Sequence, residues 1–372
     1  MSRFLILGTG SAQRDYVELL KQQGHYVVGF SYRHEGEALP LLDQFEQINI
    51  IDKEAVYQYA LAHQIDVVYS VGSDLAMPTV GYVNDRMHNG CFVTEQIASL
   101  MQDKSLFRTF LRQHSIPSIS FRIINTEADL TGWGIYPAIV KPVDSQGQRG
   151  VGRANDSNEL RKLYREALTY SRTKTVIAEQ YIDGEEISVN GFLYKGKLIY
   201  CFISDRRVVE GFTGGLVKGH NFPTKASQEE QRQAAQLVSQ VAQAIGLADG
   251  PIYFQMKRQG GKVYIIEGTP RFDGCHIWRL IHQRYGINLL HMTTELLLTG
   301  SLQTIPAVVE PKKRADILDF YIQSPYTPFD ETQCPIHPQA LYRQLSYADG
   351  EQIRPINGKA EKVGYQLIQL TI

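Results

Sequence analysis

The first hundred residues alternate short apolar runs with longer segments whose apolar residues repeat at helical spacing. Residues 4–7, 26–30 and 67–70 form the apolar runs, and residues 15–23 and 53–63 form the helical segments. Strand and helix patterns that alternate in this way predict βαβ units, whose strands lie parallel in one sheet. This part of the chain is therefore predicted to fold as a parallel α/β domain.

From about residue 103 the pattern changes to helices and hairpins. Asp103 is a suitable cap for a helix that follows it, and turns at residues 195–196 and 259–261 each join two strand-like segments. This mixture predicts an α+β region after the parallel domain. Residues 306–372 end the chain in β-like pieces.

Composition limits the classes of function. At roughly 100–200 residues per domain, 372 residues predict two or three domains. The 38 Lys+Arg and 39 Asp+Glu give a net charge of −1, which argues against a nucleic-acid binder, since phosphate backbones attract a basic surface. No run of about 18 apolar residues is present, so no membrane span is expected. The four cysteines are widely spaced and form no CxxC pair, which indicates reduced thiols in a cytoplasmic protein.

A short glycine motif, Gly8-Thr9-Gly10, follows the first predicted strand. A dinucleotide-binding fingerprint requires a third glycine where Gln13 stands, and an acidic residue near residues 30–33, where none occurs. The motif therefore predicts a tight strand-to-helix turn. An NAD(H)-dependent oxidoreductase is an alternative that rests on this motif alone.

A set of charged residues in the middle of the chain predicts a phosphate site. Lys104 begins a helix, and Lys141 ends a strand before the polar, glycine-containing loop 142–151. Two ammonium groups and a backbone-rich loop suit a triphosphate. Glu267 ends a strand and suits Mg²⁺, which prefers oxygen ligands. Arg271 follows closely and suits a phosphoryl group in transfer.

These residues belong to four segments that together resemble the ATP-grasp superfamily: residues 102–104, 136–142, 179–186 and 266–271. Within this superfamily, the segments resemble those of the biotin carboxylase and carbamoyl-phosphate synthetase branch and those of the amino-acid ligases. The resemblance covers about residues 1–305. It implies a βαβ domain, an ATP-grasp domain of two lobes and a small β-rich C-terminal appendage, divided as follows: residues 1–98, 99–305 (lobes of about 99–178 and 179–305) and 306–372.

The resemblance also implies roles for individual residues. Those expected to bind ATP are Lys104, Lys141, Ser145, Gly147, Gly150, Glu179, Gln180, Tyr181, Ile182 and Glu186. The two lysines meet the phosphates, the serine and the glycines belong to a mobile lid, residues 179–182 meet the adenine, and Glu186 meets the ribose. The ligands expected for Mg²⁺, or for Mn²⁺ in its place, are Gln255, Glu267 and Thr269. Arg271 and Lys141 are the expected catalytic residues.

Two of these positions depart from the family's usual pattern. Thr269 stands where the family usually carries Asn, and Gln255 is neutral where many relatives carry an acid. Glu267 is therefore the one carboxylate expected at the metal. An alternative function that Thr269 and Gln255 could mark is therefore a module that binds ATP with little or no catalysis.

Two further segments border the expected site. The glycine-rich connection at residues 211–220 is either a solvent loop or brings Lys218 or His220 beside the phosphates or the acceptor. We include His220 among the nucleotide-binding residues. In the family, the segment after the last motif borders the acceptor site, which places Asp273 and His276 near it.

The resemblance predicts an ATP-dependent carboxylate–amine or carboxylate–thiol ligase. A substrate carboxylate would take the γ-phosphate of ATP to form an acylphosphate, which the acceptor would then attack, with ADP and phosphate as products. The loop at residues 144–152 would close to exclude water. The expected partners are a small carboxylate, a small amine and, as for many relatives, a second copy of the chain. An alternative that keeps the fold but changes the acceptor is bicarbonate activation, as in carboxylases, or phosphorylation of carbamate, as by a carbamate kinase-like enzyme.

Overall fold

The computed structural model describes residues 1–87, 92–145, 149–211, 215–356, 358 and 360–371. The first of its three sheets contains four parallel strands: β1 (Arg3–Leu7), β2 (Tyr26–Phe30), β3 (Gln44–Glu46) and β4 (Val67–Tyr69). Their order is β3-β2-β1-β4. The connecting helices are α1 (Ser11–Gln22), α2 (Lys53–Ala62) and α3 (Met77–Met87). Residues 4–7 are fully buried, as expected for the central strand of a sheet that is covered on both faces. The predicted parallel α/β fold of this region is confirmed.

The turn after β1 is tight because the side chain of Gln13 packs against Gly8. Gly8 has a φ of +105°, and a Cβ atom there would lie 3.2 Å from the side chain of Gln13. Gln13 is buried and donates its side-chain amide to the carbonyl of Val71. The residue that replaces the third glycine therefore ties α1 to the segment after β4.

The second sheet is antiparallel and follows two short helices, α4 (Glu95–Gln102) and α5 (Lys104–Gln113). Asp103 caps α5, as predicted, because its carboxylate accepts hydrogen bonds from the N–H groups of Ser105 and Leu106. The strands are β5 (Phe121–Ile124), β6 (Ala138–Pro142), β7 (Gly152–Ala154) and β8 (Val176–Gln180), and α6 (Ser157–Tyr170) packs on β6 and β7. The strand order is β5-β8-β6-β7.

The third sheet is also antiparallel and is the largest. Its strands are β9 (Glu185–Tyr194), β10 (Lys197–Val208), β11 (Val217–Phe222), β12 (Gly250–Gln259), β13 (Lys262–Thr269), β14 (Arg314–Gln323), β15 (Ala340–Leu345) and β16 (Glu361–Thr371). Their order is β13-β12-β9-β10-β11-β14-β16-β15. The associated helices are α7 (Gln228–Ile245), α8 (Ile277–Tyr285) and α9 (Leu289–Thr299). A capping box formed by Ser227 and Glu230 begins α7.

The observed strands and helices do not follow the predicted domain boundaries. β14 pairs with β11, so the C-terminal segment extends the third sheet. The predicted boundaries after residues 98 and 178 fall within α4 and β8. Among the described residues, no helix combines the length and apolar character that a bilayer span requires.

Candidate active site

A cleft of about 1180 Å³ lies where the three sheets meet. Thirteen of the residues that the sequence predicts to bind nucleotide or metal or to act in catalysis line it: Lys104, Lys141, Ser145, Gly150, Glu179, Gln180, Tyr181, Ile182, Glu186, Gln255, Glu267, Thr269 and Arg271. Gly147 lies outside the described residues. The fold thus collects side chains from separate parts of the sequence around one cavity.

Glu179 holds two cations in the wall of the cleft. Its side chain is 2 % exposed and lies 2.6 Å from Arg108 Nε and 2.7 Å from Lys141 Nζ. Burial would raise the pKa of this carboxyl, but Arg108 and Lys141 lower it to about 2. Glu179 is therefore ionised at neutral pH. Sequence reasoning missed Arg108, although its position one helical turn after Lys104 places both side chains on the same face of α5.

Lys104 and Glu267 face each other across the cleft. Lys104 Nζ donates to the carbonyl of Ser145 at 3.0 Å and lies 3.6 Å from Glu267 Oε1. The side chain of Glu267 is 49 % exposed. The enclosed surroundings would raise its pKa, but Lys104 and Lys141 lower it. Glu267 thus presents an ionised carboxylate to the cavity.

Glu186 lies in a network on neighbouring strands of the third sheet. It accepts hydrogen bonds from Arg206 and from Gln255 Nε2, the latter at 2.9 Å, and Lys257 Nζ lies 3.8 Å away. Because Gln255 donates through its nitrogen, its amide oxygen is left for another partner. The expected ribose contact and an expected metal ligand are therefore joined directly.

Asp74, a residue that sequence reasoning missed, connects the parallel domain to the cleft. Thr269 Oγ1 and Arg271 Nε donate to Asp74 Oδ1 at 2.7 Å, and Arg271 Nη2 donates to Oδ2 at 2.5 Å. Burial would raise the pKa of Asp74, but Arg271 lowers it. Asp74 follows β4, and ligand sites in parallel sheets lie at the carboxyl ends of strands. That signal was available in the sequence.

His220 is placed apart from the other predicted residues. It is fully buried on β11, with Nδ1 3.2 Å from Ser204 Oγ and Nε2 3.5 Å from Asp273 Oδ2. Burial lowers the pKa of His220 to about 4 despite Asp273, so the imidazole is neutral. His220, Asp273 and Cys275 each bring one possible metal-ligand atom within 4.8 Å of the others, and Lys362 Nζ donates to Cys275 Sγ at 3.1 Å.

The cleft has two halves that differ in their residues. The lysine half is lined by Lys104, Lys141, Glu179, Glu186 and Glu267, and the serine half is lined by Gly10, Ser11, His276, Arg354 and Lys362. Arg271 lies between Glu267 and His276 along the chain. Burial would raise the pKa of Asp74, and Lys104 of the lysine half joins Arg271 in lowering it. Gly72 packs against Gly274, two residues before His276. The Asp74–Arg271 pair therefore stands where the halves meet.

Comparison with known proteins identifies the architecture. Residues 135–278 match the family model described as the ATP-grasp domain. The chain contains an ATP-grasp domain. The predicted resemblance is thereby confirmed, together with the predicted mixed α/β fold.

Two proteins, one similar in sequence and one in structure, illustrate the range of ATP-grasp enzymes that this chain resembles. The formate-dependent phosphoribosylglycinamide formyltransferase of Francisella tularensis subsp. holarctica (strain OSU18) is 22% identical over 299 residues, which cover 78% of this chain and 75% of that protein. The crystal structure of the L-amino acid ligase from Bacillus licheniformis superposes with a TM-score of 0.85 at 19% identity, and the match covers 100% of this chain and 94% of that chain.

A third relative was crystallised with ligands. It is the biotin carboxylase domain dimer of the Hydrogenobacter thermophilus 2-oxoglutarate carboxylase, in complex with MgADP, ADP and bicarbonate. Its TM-score is 0.80 at 15% identity, and the match covers 100% of this chain and 86% of that chain. At these identities the structural likeness shows a shared ATP-grasp fold.

Proposed function

We propose that this protein is an ATP-dependent carboxylate–amine ligase that works through an acylphosphate. The observation that supports this most strongly is the lysine half of the cleft, where Lys104, Lys141 and the open carboxylate of Glu267 face one cavity. Two ammonium groups and one carboxylate are the charges that a magnesium-bound triphosphate requires.

ATP is assigned to the lysine half. Lys104 and Lys141 neutralise its phosphates, and Glu179 fixes the position of Lys141 through their 2.7 Å ion pair. Residues 180–182 border the cavity. The backbone N–H groups of Gln180 and Tyr181 already donate to other carbonyls, so the adenine is assigned to the N–H of Ile182. Glu186, which already accepts from Gln255 and Arg206, accepts in addition from the ribose hydroxyls.

The donor set fits Mg²⁺. Glu267 supplies an ionised, half-exposed carboxylate, and Gln255 supplies the amide oxygen that its bond to Glu186 leaves over. Thr269 donates its proton to Asp74, which leaves lone pairs on its hydroxyl oxygen. Bound there, Mg²⁺ neutralises charge on the phosphates. Mn²⁺ is accepted by the same oxygen atoms.

The reaction joins the two halves of the cleft. A substrate carboxylate displaces ADP from the γ-phosphate and becomes an acylphosphate, and Arg271 stabilises the charge on the transferred group. Asp74 fixes the guanidinium of Arg271 through two of its nitrogens. A neutral amine then attacks the acyl carbon, and phosphate leaves. Most of the catalysis is therefore positioning and charge stabilisation.

The test is a screen for ADP release with a panel of amino and hydroxy acids, each paired with amines, followed by two variants. We expect Glu267→Gln and Lys141→Met to lower ADP formation by at least about 100-fold, since each removes a charge from the transition state. Lys225→Met, at an exposed lysine on another surface, is the matched control. Unchanged ADP release in both variants would contradict the proposal, and bicarbonate-stimulated release without another acid would redirect it to carboxylation.

We also propose a cytoplasmic location and a homodimer. Cys201, Cys275 and Cys334 carry free thiols, and burial raises the pKa of Cys201 and Cys275 to about 12 and about 11. Such thiols are inert and suit a reducing compartment. Sedimentation equilibrium of the purified chain tests the dimer, and a monomer at micromolar concentration would contradict it.

A further inference from the structure

The serine half of the cleft contains a chain of three hydrogen-bonded side chains. Ser11 is the first residue of α1 and lines the cavity. Its Oγ lies 2.8 Å from His276 Nε2, and His276 Nδ1 lies 2.8 Å from Asp15 Oδ2. A hydroxyl, an imidazole and a carboxylate in this order form a path for a proton away from the hydroxyl.

Asp15 fixes the direction of this path. Its buried carboxylate also accepts from Trp278 Nε1 at 2.8 Å and from Arg279 Nη2 at 2.9 Å. Burial would raise the pKa of Asp15, but His276 and Arg279 hold it far below its usual range. An ionised Asp15 keeps a proton on His276 Nδ1, which leaves the lone pair of Nε2 to accept the proton of Ser11.

His276 is held firmly in a sheltered place. Its imidazole is stacked on Tyr365 of β16, with ring centroids 4.2 Å apart, and the residue is 3 % exposed. Its φ of +57° lies in the left-handed region, which a non-glycine residue adopts at a cost of about 1–3 kcal/mol. The imidazole is therefore fixed beside Ser11, and both residues line the cavity.

The charged and titratable groups around this ring come from four elements. Asp15 and Glu18 approach from α1, and Arg279 of α8 bonds to both of them. Tyr365 of β16 stacks on the ring, and Tyr342 of β15 lies 5.7 Å from Tyr365. In this set, Asp15 is the carboxylate bonded to the imidazole, and its charge stabilises a proton on His276.

The position of Ser11 relative to the reaction follows from close backbone packing. A Cβ atom on Gly72 would lie 2.9 Å from Ala12 Cβ and 3.0 Å from Gly274 Cα. The start of α1 is thereby held beside the segment that carries Arg271, the residue assigned to the transferred phosphate. With the nucleotide in the lysine half, the acceptor approaches from the side of Ser11.

We propose that Ser11, His276 and Asp15 form a proton relay that converts the incoming ammonium group of the acceptor into a neutral amine. This rests on the proposed ligase function. The ammonium gives one proton to Ser11 Oγ while the hydroxyl proton of Ser11 passes to His276 Nε2. The freed nitrogen lone pair forms the C–N bond, and the C–O bond to phosphate breaks with its electrons on phosphate. The second nitrogen proton leaves to the phosphate or water. His276 then passes its proton back to Ser11 Oγ while the hydroxyl proton of Ser11 goes to the departing phosphate or to water, which restores the relay. Ser11 touches the acceptor, whereas His276 and Asp15 act through it.

The experiment compares two acceptors in the same enzyme. A primary alkylamine has a pKa of about 10 and arrives as an ammonium ion, whereas hydroxylamine is already neutral at pH 7. We expect Ser11→Ala and His276→Gln to lower kcat/KM for the alkylamine by about 100-fold and to change kcat/KM for hydroxylamine by less than about threefold. The loss with the alkylamine should shrink by about tenfold per pH unit toward its pKa, as the neutral fraction grows. His282→Gln, at an exposed histidine of α8, is the matched control.

Each other outcome overturns the relay. Equal losses with both acceptors would assign Ser11 and His276 to binding or folding alone, and wild-type rates with the alkylamine would remove them from the reaction. An acyl adduct on Ser11, detected by mass spectrometry of quenched turnover, would make it a nucleophile. The ligase function fails separately, because wild-type enzyme would then release no ADP with any acid, even with hydroxylamine present.

Discussion

The two halves of the cleft are assembled from different kinds of sequence. In the lysine half, most functional side chains stand at a strand end or helix start inside a short motif. The serine half combines the start of α1, the segment after Arg271 and residues of the C-terminal region, including Arg354 and Lys362. Their partners are far apart in sequence, as Ser11 and His276 are. A motif therefore reveals the half that holds a common ligand, whereas the half that selects substrates emerges from tertiary structure.

The largest expected effect tests the lysine half. Glu179→Ala would leave Arg108 and Lys141 as buried cations without their shared carboxylate, which typically costs about 3–5 kcal/mol of unfolding free energy. We also expect ATP affinity to fall, because Lys141 loses the group that positions it. Chemical denaturation and calorimetric titration with ATP measure the two effects. Glu229→Ala, at an exposed glutamate paired with Arg232, should cost less than about 1 kcal/mol.

The low pKa of Glu179 predicts that the unfolding free energy of the protein depends on pH. The pKa of Glu179 lies at about 2 in the folded chain against 4.5 for the free side chain. Its contribution to stability is therefore complete above pH 4.5 and is lost as the pH falls toward 2. The unfolding free energy of Glu179→Gln should be less dependent on pH over this interval than that of the wild type. Parallel curves would mean that Glu179 is not held in its ionised form.

A smaller effect is expected where the halves meet. Asp74→Asn keeps one carbonyl oxygen for three donors, so Arg271 loses part of its support, at a cost of about 1–3 kcal/mol. We expect slower ADP formation, with a larger fall in kcat than change in the KM for ATP. Asp249→Asn is the control, because that carboxylate accepts a backbone N–H, which an amide oxygen also does. An equal loss of ATP affinity would show that Asp74 serves the nucleotide itself.

The sequence predicted the fold better than the complete site. Alternating apolar runs predicted the parallel sheet, and Asp103 predicted the start of α5, because both signals are local. Thirteen of the predicted site residues line one cleft, although their roles remain predictions. The position of Asp74 after a strand end was visible in the sequence, but its bonds to Arg271 were not. Nor were the partners of Ser11, since these contacts form between distant segments. The burial of His220 against Asp273 was not predicted either. The alternation of the strand that carries His220 could not be recognised in a glycine-rich stretch.

The smallest expected effect tests whether the serine half binds its ligand independently of the lysine half. Arg354 lines the serine half, and its Nη2 lies 3.5 Å from Glu37 Oε1 of the parallel domain, with the arginine side chain 31 % exposed. Such a pair contributes at most about 1 kcal/mol to stability, so Arg354→Gln should fold normally. We expect a several-fold higher KM for the acid or the amine and an unchanged KM for ATP, both measured by steady-state ADP release. If the KM for ATP rises to the same extent, the two halves do not bind their ligands independently, because a charge that lines only the serine half would then also control the nucleotide.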